Sequence, residues 1–113
     1  MLYFKTHQLQ TDAPWVVFIH GAGGNSAIWY RQVRAFQAHF NLLLVDLRGH
    51  GRSPGAGENQ ANYSFDTIGN DVFEVLDHLN IAKAHFVGIS LGTIIIRQMA
   101  EMQPQRVQSM VLA

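Results

Sequence analysis

The segment Gly88–Gly92 restricts the fold of this chain more than any other, because it reads G-x-S-x-G between two apolar runs. The run at 84–87 favours a strand, and the run at 93–96 favours a helix. Strand, motif and helix in this order form the context of a nucleophile elbow, a strained turn that exposes a serine hydroxyl. We expect glycine at both ends of the motif because a side chain there would collide where strand and helix meet. The alternative is an ordinary serine-containing loop.

Strands and helices alternate along the rest of the chain. Residues 15–19 and 42–45 are apolar without alternation, which is typical of parallel strands buried on both faces. Residues 1–9 predict an edge strand, and residues 107–113 predict a further apolar strand. Three stretches between the strands have apolar residues at helical spacing: Trp29, Val33, Phe36 and Phe40; Ile68, Val72, Val75, Leu76 and Leu79; Leu91, Ile94, Ile95, Met99 and Met102. This order predicts an α/β fold, a mostly parallel open sheet with helices on both faces.

Local signals predict how the helices begin and end. Ser26 and Ser64 are expected to cap the first two helices, and Pro104 to end the third. Residues 55–60 are predicted to form a flexible surface segment. The acidic residues of the second helix are expected on a solvated face: Asp66, Asp71, Glu74 and Asp77.

Composition excludes several classes of function. Eight basic and eight acidic side chains give a formal net charge of zero, so we expect neither nucleic acid nor a membrane surface as a partner. The chain has no cysteine, which excludes disulfides and thiolate metal sites. We recognise no signal peptide and no run of transmembrane length, so we expect a cytoplasmic protein. Charged residues are only 14% of the chain, which suggests that protein covers part of its surface.

Three loops should meet at one edge of the sheet, since each follows the carboxyl end of a predicted parallel strand. They span residues 20–26, 46–54 and 88–92. Ser90 is the candidate nucleophile, and it needs a neighbouring base to take its proton. Attack on an ester, amide or thioester carbonyl would place negative charge on the carbonyl oxygen.

Two backbone amides are the candidate donors to that charge. Leu91 comes directly after the serine at a helix N-terminus, and its N–H is the first candidate. The second is the Ala22 N–H, with the Gly23 N–H as the next choice, from the glycine-rich loop in which Gly21 and Gly23 allow a tight turn. The alternative for this loop is a plain turn without any chemical role.

Other ligand sites are weaker hypotheses. The 21–26 loop fails the dinucleotide pattern at its last glycine, and no phosphate-binding P-loop motif occurs, so we expect no cofactor. A metal site from His20, Asp46 and His50 lacks a recognised ligand spacing, so we expect no metal. We expect the two histidines to hold loops through hydrogen bonds, and Asp46 to do likewise, with Arg48 as a local ion-pair partner.

The three loops together resemble those of the α/β-hydrolase superfamily, in its esterase, lactonase and carbon–carbon hydrolase branch. His20-Gly21-Ala22-Gly23-Gly24 resembles the oxyanion loop of that family, and 46–53 resembles its D-x-R-G-x-G-x-S loop. Gly88–Gly92 resembles its elbow, with serine rather than the aspartate found in members that open epoxides. The resemblance implies acyl-type hydrolysis of a small-molecule substrate through Ser90, with Gly21, Gly23, Gly88 and Gly92 supporting the loops.

The chain departs from the family pattern after the serine. The family order is Ser, then Asp or Glu, then His, whereas Glu101 is the only such residue beyond Ser90 here, inside a predicted helix. We therefore expect residues 1–113 to be the N-terminal part of a single α/β-hydrolase domain, nearly inactive alone, with acid and base outside it. The remaining part of the domain, or another chain, is expected against the open strand 107–113. The alternative is a non-catalytic binding or regulatory module on the same fold.

Overall fold

A computed structural model describes residues 1–55 and 63–113, so most of the predicted surface segment 55–60 lies outside the described residues. Strands and helices alternate as the apolar runs predict. They are β1 (Phe4–His7), β2 (Trp15–Ile19), α1 (Tyr30–Phe36), β3 (Asn41–Val45), α2 (Phe65–His78), β4 (Ala84–Gly88), α3 (Leu91–Met102) and β5 (Val107–Leu112). Short 3-10 helices at Ser26–Trp29 and Pro104–Arg106 precede α1 and β5.

The five strands form one sheet in the order β1-β3-β2-β4-β5. Strands β2 to β5 are parallel, and β1 pairs antiparallel with β3 at one edge. The sheet is therefore mostly parallel, and β1 is the predicted edge strand. Because the carboxyl ends of β2, β3 and β4 lie at the same edge, the three loops of interest leave the sheet side by side.

Helices cover both faces of the sheet, which confirms the predicted α/β architecture. Alternate residues of β2 and β3 face opposite ways. One set packs against α2 and α3: Val17, Ile19, Leu43 and Val45. The other set packs against Trp29 and the α1 side chains: Val16, Phe18, Leu42 and Leu44. The two central strands are buried on both faces for this reason, as their unbroken apolar runs predict.

Strand β5 lies at the edge of the sheet opposite to β1, and its apolar side chains are more exposed than those of the central strands. Met110, Val111 and Leu112 are 44%, 59% and 41% exposed, although they are as apolar as the central strands. The parallel pairing with β4 satisfies one side of the strand, while its other side has no strand beside it in the described chain. The predicted open apolar edge is therefore present in the structure.

The helix caps agree with the sequence at α2 and differ before α1. Ser64 Oγ accepts a hydrogen bond from Thr67 N–H at 3.2 Å, which is the predicted cap. The Ser26 prediction is wrong, because Asn25 caps the 3-10 helix by accepting from Ala27 N–H at 2.8 Å.

None of the helices in the described residues has the length and apolar character needed to cross a membrane.

Candidate active site

Ser90 lies in a tight turn between β4 and α3 and has backbone angles that residues other than glycine seldom adopt. Its φ is 53° and its ψ is −120°. These values mirror the roughly −60° and +120° at the first central position of a type II turn, so Ser90 has the conformation of that position in a type II′ turn. The Gly92 N–H closes the turn with a hydrogen bond of 2.9 Å to the Ile89 carbonyl. The strained strand–turn–helix arrangement that the motif predicts is therefore present.

Both glycines of the motif are required by close packing, but by different neighbours. A Cβ at Gly88 would lie 2.5 Å from the Ile96 side chain and 2.9 Å from the Gly92 carbonyl carbon. A Cβ at Gly92 would lie 2.1 Å from the carbonyl oxygen of Ile19. The expected collision between β4 and its own helix thus applies to Gly88. At Gly92 the obstacle is the end of the neighbouring strand β2, which a local motif does not reveal.

The Ser90 side chain is exposed and takes no part in capping α3. Its backbone is held instead, since the Ser90 carbonyl accepts from Thr93 Oγ1 at 2.7 Å and from Thr93 N–H at 2.9 Å. The end of β5 also contacts the turn, because Ala113 N–H donates to the Gly88 carbonyl at 2.9 Å. The backbone of the turn is therefore fixed, while the hydroxyl has no hydrogen-bond partner among the described residues.

The glycine-rich loop after β2 lies directly beside the elbow. A Cβ at Gly21 would lie 3.1 Å from Ser90 Cβ and 3.7 Å from Ser90 Oγ. Gly24 N–H donates to the Gly21 carbonyl at 3.1 Å, and Gly23 has a φ of 77°, so the loop is a tight turn that uses glycine. Within the described part of the chain, the Ala22 and Leu91 N–H groups donate to no protein acceptor. The structure thus brings the glycine loop and Ser90 together.

His20 fixes this loop to the next one and is itself buried. Its Nε2 accepts from Leu47 N–H at 3.0 Å, and its Nδ1 lies 2.7 Å from the Gly21 carbonyl oxygen, to which it donates. Burial lowers the pKa of His20, outweighing the upward effect of the bond to Gly21. Both ring nitrogens are engaged, so His20 holds the loop in shape as predicted and is no base for Ser90.

Asp46 holds the second loop by accepting backbone N–H groups. Its Oδ1 accepts from Ser26 N–H at 2.8 Å, and its Oδ2 accepts from Arg52 N–H at 3.0 Å. Burial would raise the pKa of Asp46, but these hydrogen bonds outweigh it and the pKa lies below its usual value. Ser53 Oγ donates to the Asp46 carbonyl. The carboxylate therefore connects both loops at the carboxyl ends of β2 and β3.

Arg48 does not pair with Asp46, so the predicted local ion pair is wrong. Its guanidinium forms two hydrogen bonds of 2.7 Å with the Asp71 carboxylate on α2. The bonds to Asp71 raise the pKa of Arg48. Asp71 is 15% exposed at its side chain, so it also departs from the predicted solvated face. A pair that spans 23 residues leaves no local signal in the sequence.

The metal hypothesis has no support in this geometry. The His20 and His50 rings lie 5.1 Å apart, but His20 and Asp46 already bind amides and carbonyls through the atoms a metal would need. Among the described residues, no group of three or more His, Cys, Asp or Glu side chains could hold a metal ion.

Comparison with known proteins gives consistent results. A family model described as alpha/beta hydrolase fold matches residues 14–113. The 3-oxoadipate enol-lactonase 2 of Acinetobacter baylyi is 35% identical over 104 residues, which are 92% of this chain and 38% of that protein. A pimeloyl-[acyl-carrier protein] methyl ester esterase of Aeromonas hydrophila is 36% identical over 100 residues, which are 88% and 37%.

A solved structure of similar shape is a hydrolase from Pseudomonas aeruginosa PA01, with a TM-score of 0.90 and 33% identity. The match covers 98% of this chain and 40% of that one. The chain thus spans about two fifths of the length of the curated relatives that it matches. With its family match, its sheet order and its elbow, the chain belongs to the α/β-hydrolase family.

Proposed function

We propose that this chain carries the nucleophile of a serine hydrolase that acts on an ester, a lactone or a related acyl substrate. Ser90 attacks the carbonyl carbon, and the Ala22 and Leu91 N–H groups bind the resulting oxyanion. The Ser90 backbone conformation is the observation that carries the proposal: φ of 53° with an exposed hydroxyl that caps nothing. Strain of this kind costs about 1–3 kcal/mol and is concentrated at functional sites.

The glycine loop supports the oxyanion assignment. Gly21 lies against Ser90, so the next amide in the loop, that of Ala22, is close to the reacting centre. Leu91 is the first residue of α3, where the helix dipole favours negative charge. His20 keeps this loop fixed through its hydrogen bonds to the Leu47 N–H and the Gly21 carbonyl, as a preorganised oxyanion site requires.

The acid and the base come from outside these 113 residues. Ser90 Oγ has no hydrogen-bond partner among the described residues, and the nearby imidazole of His20 uses both its nitrogens elsewhere. The substrate class is taken from the named activities of the relatives, a lactonase and a methyl ester esterase. Residues 1–113 then form the N-terminal part of one hydrolase domain, and its remaining part packs against β5.

A fluorophosphonate probe tests the nucleophile in the natural full-length protein. We expect covalent labelling of the wild type and none of Ser90→Ala. Ser64→Ala is a matched control, because Ser64 is also exposed but its hydroxyl caps α2. Labelling that survives in Ser90→Ala would refute the assignment.

A non-catalytic ligand-binding or regulatory module is the second candidate. Such a module would keep the three loops as a ligand site without using Ser90 as a nucleophile. It predicts a folded full-length protein that no fluorophosphonate labels but that still binds small esters or acids near Ser90. Labelling at Ser90 excludes it.

A further inference from the structure

A cleft lies between β1 and α1, with a volume of about 270 Å³. Val33 and Leu44 form an apolar floor, and the rim carries Lys5, His7 and Arg34. Lys5 and His7 are two residues apart on β1, so both face the α1 side of the sheet. Lys5 is the register partner of Leu44, which places its side chain beside that floor. The cleft therefore combines an apolar interior with a cationic rim.

This cleft is separate from the elbow. In the sheet order β1-β3-β2-β4-β5, two strands lie between β1 and β4, which leads into Ser90. Three strand spacings are about 14 Å. Ser90, Leu91, Gly21 and Ala22 are not among the residues that line the cleft, although Ser26 at its border belongs to the loop after β2. A site here is therefore an additional one.

The charges around the cleft have one sign. No aspartate or glutamate is among the residues that line it. Lys5 and Arg34 form no ion pair with any residue in the ranges 1–55 and 63–113. Asp46 is the carboxylate bonded to Ser26 at the border of the cleft, and both of its oxygens accept backbone N–H groups. An anion would thus find two unpaired cations and no competing carboxylate within the described residues.

We infer that this cleft binds a small organic carboxylate with an aromatic or branched aliphatic body. Arginine binds carboxylates through two parallel hydrogen bonds, which suits Arg34 on the rim. Tyr30 also lines the cleft and is 59% exposed. The Arg31 guanidinium lies over its ring at 5.5 Å, so an aromatic body would contact the ring edge or the other face. A volume slightly below the ~300 Å³ of the smallest common ligand sites fits a body of one or two rings. The apolar floor disfavours a fully hydrated inorganic anion.

Calorimetric titration of the natural full-length protein with 2-naphthoate tests the inference. The neutral analogue 2-naphthylmethanol should bind at least about 10-fold more weakly, because hydrogen bonds to charged groups contribute ~1.5–3 kcal/mol. The double variant Lys5→Met/Arg34→Gln should weaken 2-naphthoate binding by a similar factor or more. The matched control Lys83→Met/Arg97→Gln removes two exposed cations elsewhere and should change the affinity less than about 2-fold.

Charge reversal separates recognition from a loss of folding. The variant Lys5→Glu/Arg34→Glu should lose 2-naphthoate and gain 2-naphthylmethylammonium, with an unchanged circular dichroism spectrum. Equal affinity for 2-naphthoate and its neutral analogue would overturn the inference. So would 2-naphthoate binding that neither double variant weakens, since the rim cations would then play no part. Neither result bears on Ser90, which none of these variants alters.

Discussion

Helices α2 and α3 both begin after a serine, and the two serines have opposite roles. Ser64 has a φ of −62° and a ψ of 153°, an ordinary extended conformation, and its hydroxyl accepts from Thr67 N–H. Ser90 has a φ of 53°, and its hydroxyl makes no cap bond to α3. The first serine contributes about 1 kcal/mol to its helix, whereas the second contributes nothing as a cap and holds about 1–3 kcal/mol of strain.

The cause of the difference lies outside the helices themselves. The start of α3 packs against the carbonyl groups at the end of β2, where even a methyl group on Gly92 would collide. The chain must therefore turn within four residues after β4, and the turn at Ser90 does so. The start of α2 has no such collision, and its chain enters in an extended conformation. Tertiary packing thus decides which serine is a cap and which has a free hydroxyl.

Among the substitutions that test the difference between the start of α3 and the start of α2, Gly92→Ala should have the largest effect on stability. The new Cβ would meet the Ile19 carbonyl at 2.1 Å, so we expect a loss of about 3 kcal/mol or more in the free energy of unfolding. Asp66→Ala alters the equivalent position of α2 and should cost less than about 1 kcal/mol. Urea unfolding of both variants measures the difference. Equal losses would contradict the contact between α3 and β2.

Ser90→Gly should stabilise the protein while removing its proposed nucleophile. Glycine adopts positive φ without strain, which relieves about 1–3 kcal/mol, and its greater freedom in the unfolded chain takes back about 0.5–1 kcal/mol. We expect a net gain of about 1 kcal/mol in thermal or urea unfolding. Ser64→Gly, at an ordinary cap, should instead lose a few tenths of a kcal/mol. A loss at Ser90 equal to that at Ser64 would show that its turn is unstrained.

Alanine at the two positions should keep that order, with Ser64 again the more sensitive site. Ser64→Ala removes the bond to Thr67 N–H and should cost about 1 kcal/mol. Ser90→Ala removes no cap bond and keeps the strained backbone, so it should change stability by less than about 0.5 kcal/mol. Parallel urea titrations compare them. A cost near 1 kcal/mol for Ser90→Ala would mean that its hydroxyl makes a stabilising bond in solution.

Acid should weaken the His20 contacts that hold the loop beside Ser90 and leave the α2 cap unchanged, which is the smallest of the four effects. Burial lowers the pKa of His20 from the ordinary 6.5, so the unfolded chain binds a proton where the folded protein does not. The stability that depends on neutral His20 is complete above pH 6.5 and is lost as the pH falls toward the lowered folded pKa.

Hydrogen-exchange protection of two amides measures this effect between about pH 7.5 and 5.5, the range around the ordinary histidine pKa. The Leu47 N–H, bonded to His20 Nε2, should lose protection as the pH falls, while the Thr67 N–H at the α2 cap should keep it. His20→Gln retains an acceptor but does not titrate, so it should flatten the response at Leu47. A parallel loss at both amides would point to global unfolding instead of the His20 contact.

The parts of the site that the sequence predicted are those with local causes. The elbow can be predicted from a serine that follows an apolar run and has one glycine two residues before it and another two residues after it. This is enough because the turn involves only adjacent residues. The Ser64 cap depends on a residue three positions later, so it too is local. The unbroken apolar runs predicted β2 and β3 because both faces of a central parallel strand are buried.

The incorrect predictions involve partners far along the chain, except that Asn25 forms its cap locally, through Ala27 N–H. Asparagine and serine are both favoured as helix N-caps, so Asn25 and Ser26 are equally good candidates from the sequence. In the structure Asn25 is the cap, and Asp46, 20 residues later, accepts a hydrogen bond from the Ser26 N–H. Arg48 has Asp46 two residues away but pairs with Asp71, because α2 packs beside the loop after β3. The closest approach of Gly92 is to β2 rather than to its own strand. Strand β2 lies between β3 and β4 in the sheet, and its contacts with the start of α3 join segments about 70 residues apart, so they have no local signature.

The sequence by itself determined the family, the alternation of strands and helices, and the serine on which the proposed chemistry depends. These features arise from residue types at fixed short spacings, which act through backbone geometry and apolar burial. The tertiary structure alone decided the remaining features: the free hydroxyl of Ser90, the anchoring of His20 and Asp46 between loops, and the cationic cleft beside β1. Each depends on segments that the sheet order brings together, and sheet order is set by the packing of the whole chain rather than by any stretch of it.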